Sequence, residues 1–224
     1  MSQWKMIYLA RRNPALMAED FPQAWREHSA LGRQCVNVAD RVKSVAQCSR
    51  VLEHPDLPPG ASVDYDGVNL LALRDRQSAD DIWSDAETLR IMRPDEPRVF
   101  STYVRNFALT AREAVIKDGA QTEVCVYLFL KPQSPGALDE VVLAPSPSSP
   151  WAQAQRLVSN RVDGAQPSGY EYELIVEAWY VSVDAVAAAF AGQSVWAALP
   201  AELGAHIDAA TSVCMLTRVT HRRP

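Results

Sequence analysis

KMIYLARRNPALMAEDFPQAWREHSALGRQ, residues Lys5–Gln34, is the stretch on which the fold turns. It reads as a strand, a tight connection and an amphipathic helix. Over Lys5–Arg12, Met6, Tyr8 and Ala10 fall on one face and Ile7 and Leu9 on the other, the period of two of a strand. Asn13-Pro14 ends it, because proline cannot donate to a ladder and Asn-Pro favours a turn. Phe21, Trp25, His28, Leu31 and Cys35 then recur at offsets of three and four, so they share one helix face. His28 therefore points where the aromatic residues point, inward.

The same kinds of element follow in order. Arg41–Glu53 alternates like a strand, and the Pro-rich His54–Gly60 interrupts it. Gly67–Asp75 is a β-type apolar run. Ser78, with Asp81 three residues on, reads as a capping-box variant opening a helix that runs to Met92. Thr102–Ala111 reads as a fourth strand, with Tyr103, Arg105, Phe107 and Leu109 on one face. The order β-α-β-β-α-β is that of a ferredoxin-like unit.

Residues after the polar Lys117–Gln121 repeat this order. Glu123–Lys131, Ala154–Val162, Tyr170–Val181 and Ser212–Arg222 read as strands, and Ser182 caps a helix. Val126-Tyr127-Leu128 matches Ile7-Tyr8-Leu9. Where the first half has its long helix, the second has Ser134–Pro150, whose four prolines cannot sustain one. The predicted fold is α+β: tandem ferredoxin-like repeats, residues 1–116 and 122–224, whose sheets face each other in one intramolecular α+β barrel.

The 224 residues are 48% hydrophobic with a net charge of −5. That acidic balance argues against a nucleic-acid partner. No apolar run reaches the roughly 20 residues of a membrane span, and the N-terminus does not read as a signal peptide. The four cysteines form no CxxC pair or metal-like spacing. Reduced thiols in a cytoplasmic protein, with no metal and no cofactor, are the expectation.

Three stretches carry a family resemblance. Tyr8–Leu31, YLARRNPALMAEDFPQAWREHSAL, resembles the opening of EthD-type proteins of the dimeric α+β barrel superfamily: a strand ending in Arg-Arg, a Pro-containing turn, then E-F-x-x-x-W-R-x-H. Tyr65–Val68 and Tyr172–Asp184 resemble the family's later Y-D-G-V-x-E-x-W-F-x-S-x-E stretch. There are departures. Ser29 stands where a second histidine is common, and Leu70 and Ala72 stand at the motif's Glu and Trp. The first half thus keeps His28 without the glutamate, and the second keeps Glu177 and Trp179 without the histidine. Two equivalent sites are not expected.

The resemblance implies small cofactor-free enzymes and accessory proteins acting on aromatic or polyketide-like compounds. The leading expectation is a cofactor-free lyase, dehydratase or isomerase acting on a small aromatic or hydrophobic metabolite. A non-catalytic ligand binder and a haem- or oxygen-using oxidoreductase are the alternatives. The chain is expected to be a monomer or a homodimer.

His28 is the first candidate for proton transfer, since imidazole titrates near neutral pH. The alternative is a core histidine bonded to a carbonyl or a tyrosine. Glu177 lies mid-strand in an apolar run, where a carboxylate must pair, face a wet cavity or take up a proton. It is read either as an acid–base residue of a lesser pocket or as a structural ion pair, with Arg218 the partner considered. Tyr8 and Tyr127, at matching positions, could donate to a substrate carbonyl or simply pack. Arg12 and Arg105 could hold a carboxylate or phenolate. One principal pocket is predicted between the Phe21–Cys35 helix and the first sheet, lined by Tyr8, Trp25, His28, Asn69 and Tyr103.

Overall fold

The computed structural model of the chain describes residues 3–54 and 57–223; Pro55 and Asp56 of the Pro-rich segment lie outside the described residues. Eight strands, β1 (Trp4–Ala10), β2 (Val42–Arg50), β3 (Gly67–Leu73), β4 (Ala108–Lys117), β5 (Val124–Leu130), β6 (Arg156–Val162), β7 (Leu174–Tyr180) and β8 (Val213–Arg223), close one barrel. Their order is β1-β3-β2-β8-β5-β7-β6-β4, and β4 returns to β1. Every neighbouring pair is antiparallel. The first four strands are contiguous in the ring, as are the last four, and the seams between them are β2–β8 and β4–β6. Closure leaves no unpaired edge.

The strand period of two sorts residues between the barrel interior and its outer face. Ile7, Leu9, Tyr127, Ile175 and Trp179 share the interior cluster. Met6, Tyr8 and Ala10 face outward and pack with Phe21 and Trp25. Those two aromatics belong to α1 (Phe21–Leu31), which buries Phe21, Ala24, Trp25 and His28. Gly67 makes this packing possible. A Cβ there would stand 2.5 Å from the Trp25 ring and 2.9 Å from the Cys48 carbonyl oxygen.

No helix forms over Ser134–Ser149. Leu138, Val141, Leu143 and Trp151 cover the outer face of the second half instead. Trp151 donates its indole N–H to the Ala198 carbonyl at 2.9 Å and meets Phe190 edge-on at 5.1 Å. Phe190 ends the helix Val183–Phe190, which Ser182 caps by accepting the Ala185 N–H.

Four local expectations need correction. Ser78 is not a cap: it lies inside α2 (Gln77–Ser84), and the Asp75 carboxylate accepts both its N–H and its hydroxyl at 2.8 Å. The expected long helix breaks at extended Asp85, which caps α3 (Ala86–Ile91) by accepting the Thr88 N–H. The fourth strand starts at Ala108 instead of Thr102. The buried Glu96 of α4 (Glu96–Val99) accepts the Val104 N–H at 2.9 Å, and Val104–Asn106 winds into a 3-10 turn. Finally, Tyr8 and Tyr127 do not match. Tyr8 faces outward and Tyr127 inward, a one-residue offset that reverses the face.

Candidate functional site

A cavity of 330 Å³ lies between α1 and the outer face of β1, β3 and β2. That is within the roughly 300–1,000 Å³ of small-molecule sites, at the lower end. Trp25, Val45, Leu71, Ile82, Trp83 and Val104 make its walls largely apolar. Tyr8, Asn69 and Gln47 form one polar row across three strands, because Tyr8 is in register with Asn69 and Asn69 with Gln47. All three line the cavity.

Gln47 donates to the Trp25 carbonyl at 3.2 Å. Its own Oε1, and Oδ1 of Asn69, are buried without a hydrogen bond. Buried acceptors left open carry a desolvation penalty that a hydroxyl-bearing ligand would relieve. Burial, and next to it the Glu96 charge, raises the Tyr8 pKa, so its hydroxyl remains a donor.

His28 enters from α1. Its Nδ1 lies 2.9 Å from Asp95 Oδ2, and its ring meets Phe100 edge-on at 5.4 Å. Burial pushes the His28 pKa down, and the hydrogen bond and charge of Asp95 pull the other way. Asp95 is held below the usual carboxylate range, first by its hydrogen bonds from Arg98, which donates at 2.7 and 3.1 Å. Burial is the larger effect, so the neutral imidazole is favoured more than in a free histidine. With Nδ1–H donating to Asp95, Nε2 carries the free lone pair, the arrangement a general base requires.

Glu177 is placed elsewhere. It is wholly buried inside the barrel, with Lys5 Nζ at 2.5 Å from Oε1. Asn160 donates to the same oxygen at 2.9 Å, and the Trp179 indole to Oε2 at 3.1 Å. Lys5 also meets Glu113 at 2.5 Å. The partner is Lys5 and not Arg218, whose position is exposed. Tyr127 sits in the same interior, its hydroxyl 3.4 Å from Cys48 Sγ.

The cavity therefore gathers Tyr8, Trp25, His28 and Asn69. Glu177, Tyr127 and Trp179 lie inside the barrel. Tyr103 is 43% exposed, beneath the Arg93 guanidinium, and Arg105 is exposed in the same 3-10 turn. Arg12 is paired with Asp66 at 2.6 Å. Sequence reading missed Asp95, Gln47, Glu96 and Arg223. Asp95 stands in a Pro-Asp-Glu-Pro turn with no motif around it.

Haem suits the donors and not the space. His28 with Asp95 on Nδ1 is chemically adequate as an axial pair. A cavity of 330 Å³ is too small for a tetrapyrrole with its propionates. Among the described residues no group of three His, Cys, Asp or Glu side chains is placed to hold a metal ion, and no helix is long and apolar enough to cross a membrane.

No family model matches the chain, and no curated protein matches it by sequence. Solved structures match by fold. An anthrone oxidase-like protein superposes with a TM-score of 0.65 at 13% identity, covering 99% of this chain and 92% of that one. A candidate monooxygenase from Fusobacterium nucleatum gives 0.54 at 6% identity, covering 99% and 93%. A dye-decolorizing peroxidase from Bacteroides thetaiotaomicron gives 0.53 at 9%, covering 98% and 94%. At such identity the likeness shows the fold alone, a closed antiparallel eight-stranded barrel with helices on its outer face. It also corrects the expected chemistry: these neighbours are named for oxidase, monooxygenase and peroxidase activity, so the lyase or isomerase reading is set aside.

Proposed function

We propose that the chain is an oxygen-using oxidoreductase that oxidises a small polycyclic phenolic compound of the anthrone class in the His28 cavity. The observation that carries this reading is the placement of His28 in an apolar chamber, with Asp95 Oδ2 at 2.9 Å from its Nδ1. His28 Nε2 takes a proton from the methylene that flanks the ring system. The resulting carbanion is delocalised onto the ring carbonyl oxygen, for which Tyr8 supplies a donor. The carbanion gives its electrons to O2, and a hydroperoxide forms on that carbon once the His28 proton is returned. Loss of water leaves a ketone. Overall, CH2 and O2 become C=O and H2O, so one oxygen atom enters the product and the other leaves as water. Gln47 and Asn69 offer acceptors to phenolic hydroxyls, and Trp25 offers a stacking face.

The closed ring, with its two contiguous sets of four strands, supports reading residues 1–116 and 122–224 as fused ferredoxin-like repeats. The EthD-type motifs of the sequence support the same origin. In this reading the first repeat holds the working pocket, and a single chain supplies a complete barrel.

The test is oxygen uptake with an anthrone, run with 18O2 and beside a visible spectrum of the protein as purified. One labelled oxygen in the product ketone, with no Soret band, is expected. His28→Ala is expected to lower kcat by about 10²–10⁴. Uptake no faster than the uncatalysed reaction, or uptake that tracks a Soret band, overturns the reading.

A further inference from the structure

The mouth of the cavity holds two arginines that no carboxylate meets in an ion pair; Glu96, the carboxylate of its lining, lies instead 4.0 Å from Arg93 and accepts the Val104 N–H. Arg33, in the turn after α1, and Arg223, at the end of β8, both line it. Of the other arginines, Arg12, Arg41, Arg74, Arg76, Arg98 and Arg156 each meet an aspartate or glutamate, while Arg105, Arg218 and Arg222 are exposed. Among the described residues neither Arg33 nor Arg223 has such a partner, nor does the nearby Arg26.

Arg223 is the more constrained of the two. Its Nε is buried and makes no hydrogen bond. Its Nη2 lies 3.7 Å from where a Cβ on Gly32 would stand, so the guanidinium packs across the end of α1. Burial first, and then the Arg33 charge, holds the Arg223 pKa below its ordinary value. The same repulsion reaches His221, lowered by burial and then by Arg26, Arg223 and Arg33.

A guanidinium cannot shed its proton to escape such a site. Arg33 is exposed and Arg223 half-buried; a partly desolvated charge without a counter-charge carries a cost that an anion from outside would offset. Position favours an anion on the ligand itself. Gly32 lies about one helical turn beyond His28, roughly 5–6 Å along the axis, and the Tyr8 hydroxyl feels the Arg223 charge. A planar carboxylate matches the fork of guanidinium N–H donors.

We infer that the His28 cavity takes an aromatic ligand bearing a carboxylate, held at the mouth by Arg223 with Arg33, while its rings lie against Trp25. This rests on the cavity being the substrate site proposed above, and it names the class of substrate: an acidic polycycle.

Binding tests it without turnover. Anthraquinone-2-carboxylate and its neutral carboxamide have nearly the same shape and can be titrated calorimetrically into the full chain. The carboxylate is expected to bind at least about tenfold tighter, the worth of one charge-assisted pair. That preference is expected to shrink when salt rises from about 50 to 500 mM, and to vanish in Arg223→Gln. Equal affinity of the wild-type chain for the two compounds overturns the inference, whether or not the variant folds. So does a preference that Arg223→Gln leaves intact in a variant with native circular dichroism. Oxygen uptake separates this outcome from the reading beneath it. Carboxylate preference without uptake leaves the anion subsite standing and removes the oxidase. Uptake with a neutral anthrone and no carboxylate preference does the reverse.

Discussion

Lys5 reaches Glu177 across the inside of the barrel, Nζ to Oε1 at 2.5 Å, with 4% and 0% of the two side chains exposed. The contact joins β1 to β7, strands from opposite ends of the chain that are not neighbours in the ring. Glu113 takes the other side of the ammonium at 2.5 Å, and Arg156 meets Glu113 at 3.3 Å. Lys5 thus sits between two buried carboxylates, and Arg156 links Glu113 to the exposed Asp118 at 2.7 Å.

Breaking one member leaves a buried charge uncompensated. Lys5→Met is expected to lower unfolding free energy by about 3–5 kcal/mol, read from urea denaturation. Combining it with Glu177→Leu is expected to cost less than the sum of the single changes, by roughly 1–3 kcal/mol. Additive losses would show that the pair is not coupled. Because Glu177 does not line the cavity, Glu177→Gln is expected to lower stability and leave kcat/KM nearly unchanged.

The pH dependence follows from His28. Burial lowers its folded pKa, so just below about 6.5 the unfolded chain binds a proton that the folded chain refuses. Stability is therefore expected to fall as pH drops from there through the folded value. Turnover needs the neutral ring, so kcat/KM is expected to be flat above about 6.5 and to fall on the acid side. Asp95 raises the His28 pKa, and Asp95→Asn is expected to move the acid limb to lower pH while reducing kcat by about 10²-fold or more. A limb that moves up, or does not move, would count against the dyad.

Gly67 gives a packing test. In Gly67→Ala the new methyl would meet the Trp25 ring and the Cys48 carbonyl, and backbone cannot yield as a flexible side chain can. A loss of about 1–3 kcal/mol is expected, with Trp25 fluorescence shifted because the indole is displaced toward the cavity. An unchanged melting curve and spectrum would mean that the helix rides outward freely.

Arg105 is exposed in the Val104–Asn106 turn, and Tyr103, just before it, is part exposed beneath Arg93. Alanine at either position is expected to change stability by less than about 0.5 kcal/mol and to leave ligand binding by the cavity intact, as titration of each variant would show.

The first strand and helix were legible because their periodicities are clean: Met6, Tyr8 and Ala10 alternate with Ile7 and Leu9, and Phe21, Trp25 and His28 share one helix face. From these the place of the cavity and three of its residues, Tyr8, Trp25 and His28, could be named, and Asn69 came from the apolar run of the third strand. Tyr127 was unreadable in the same way, since VCVYLFL is apolar on both faces and fully buried; nothing in it marks which face is inside. Asp95 was hidden because it meets His28 from 67 residues away, through a turn whose path depends on Glu96 capturing Val104. Glu177 announced a need for a partner, and pairing with Lys5 instead of Arg218 is decided by barrel closure, which no local pattern encodes.

That closure also bears on how the chain reaches its native state. Val45 in β2 pairs with Arg223 in β8, so a strand made early on the ribosome has its flank uncovered until nearly all of the described chain has emerged. Contacts of such sequence separation make for slow folding. A nascent intermediate with β1, β3 and β2 assembled and β8 absent would present an open strand edge during that interval. The protein's hours of risk come before it is finished, and a chaperone that shields an exposed β edge is the help this topology calls for.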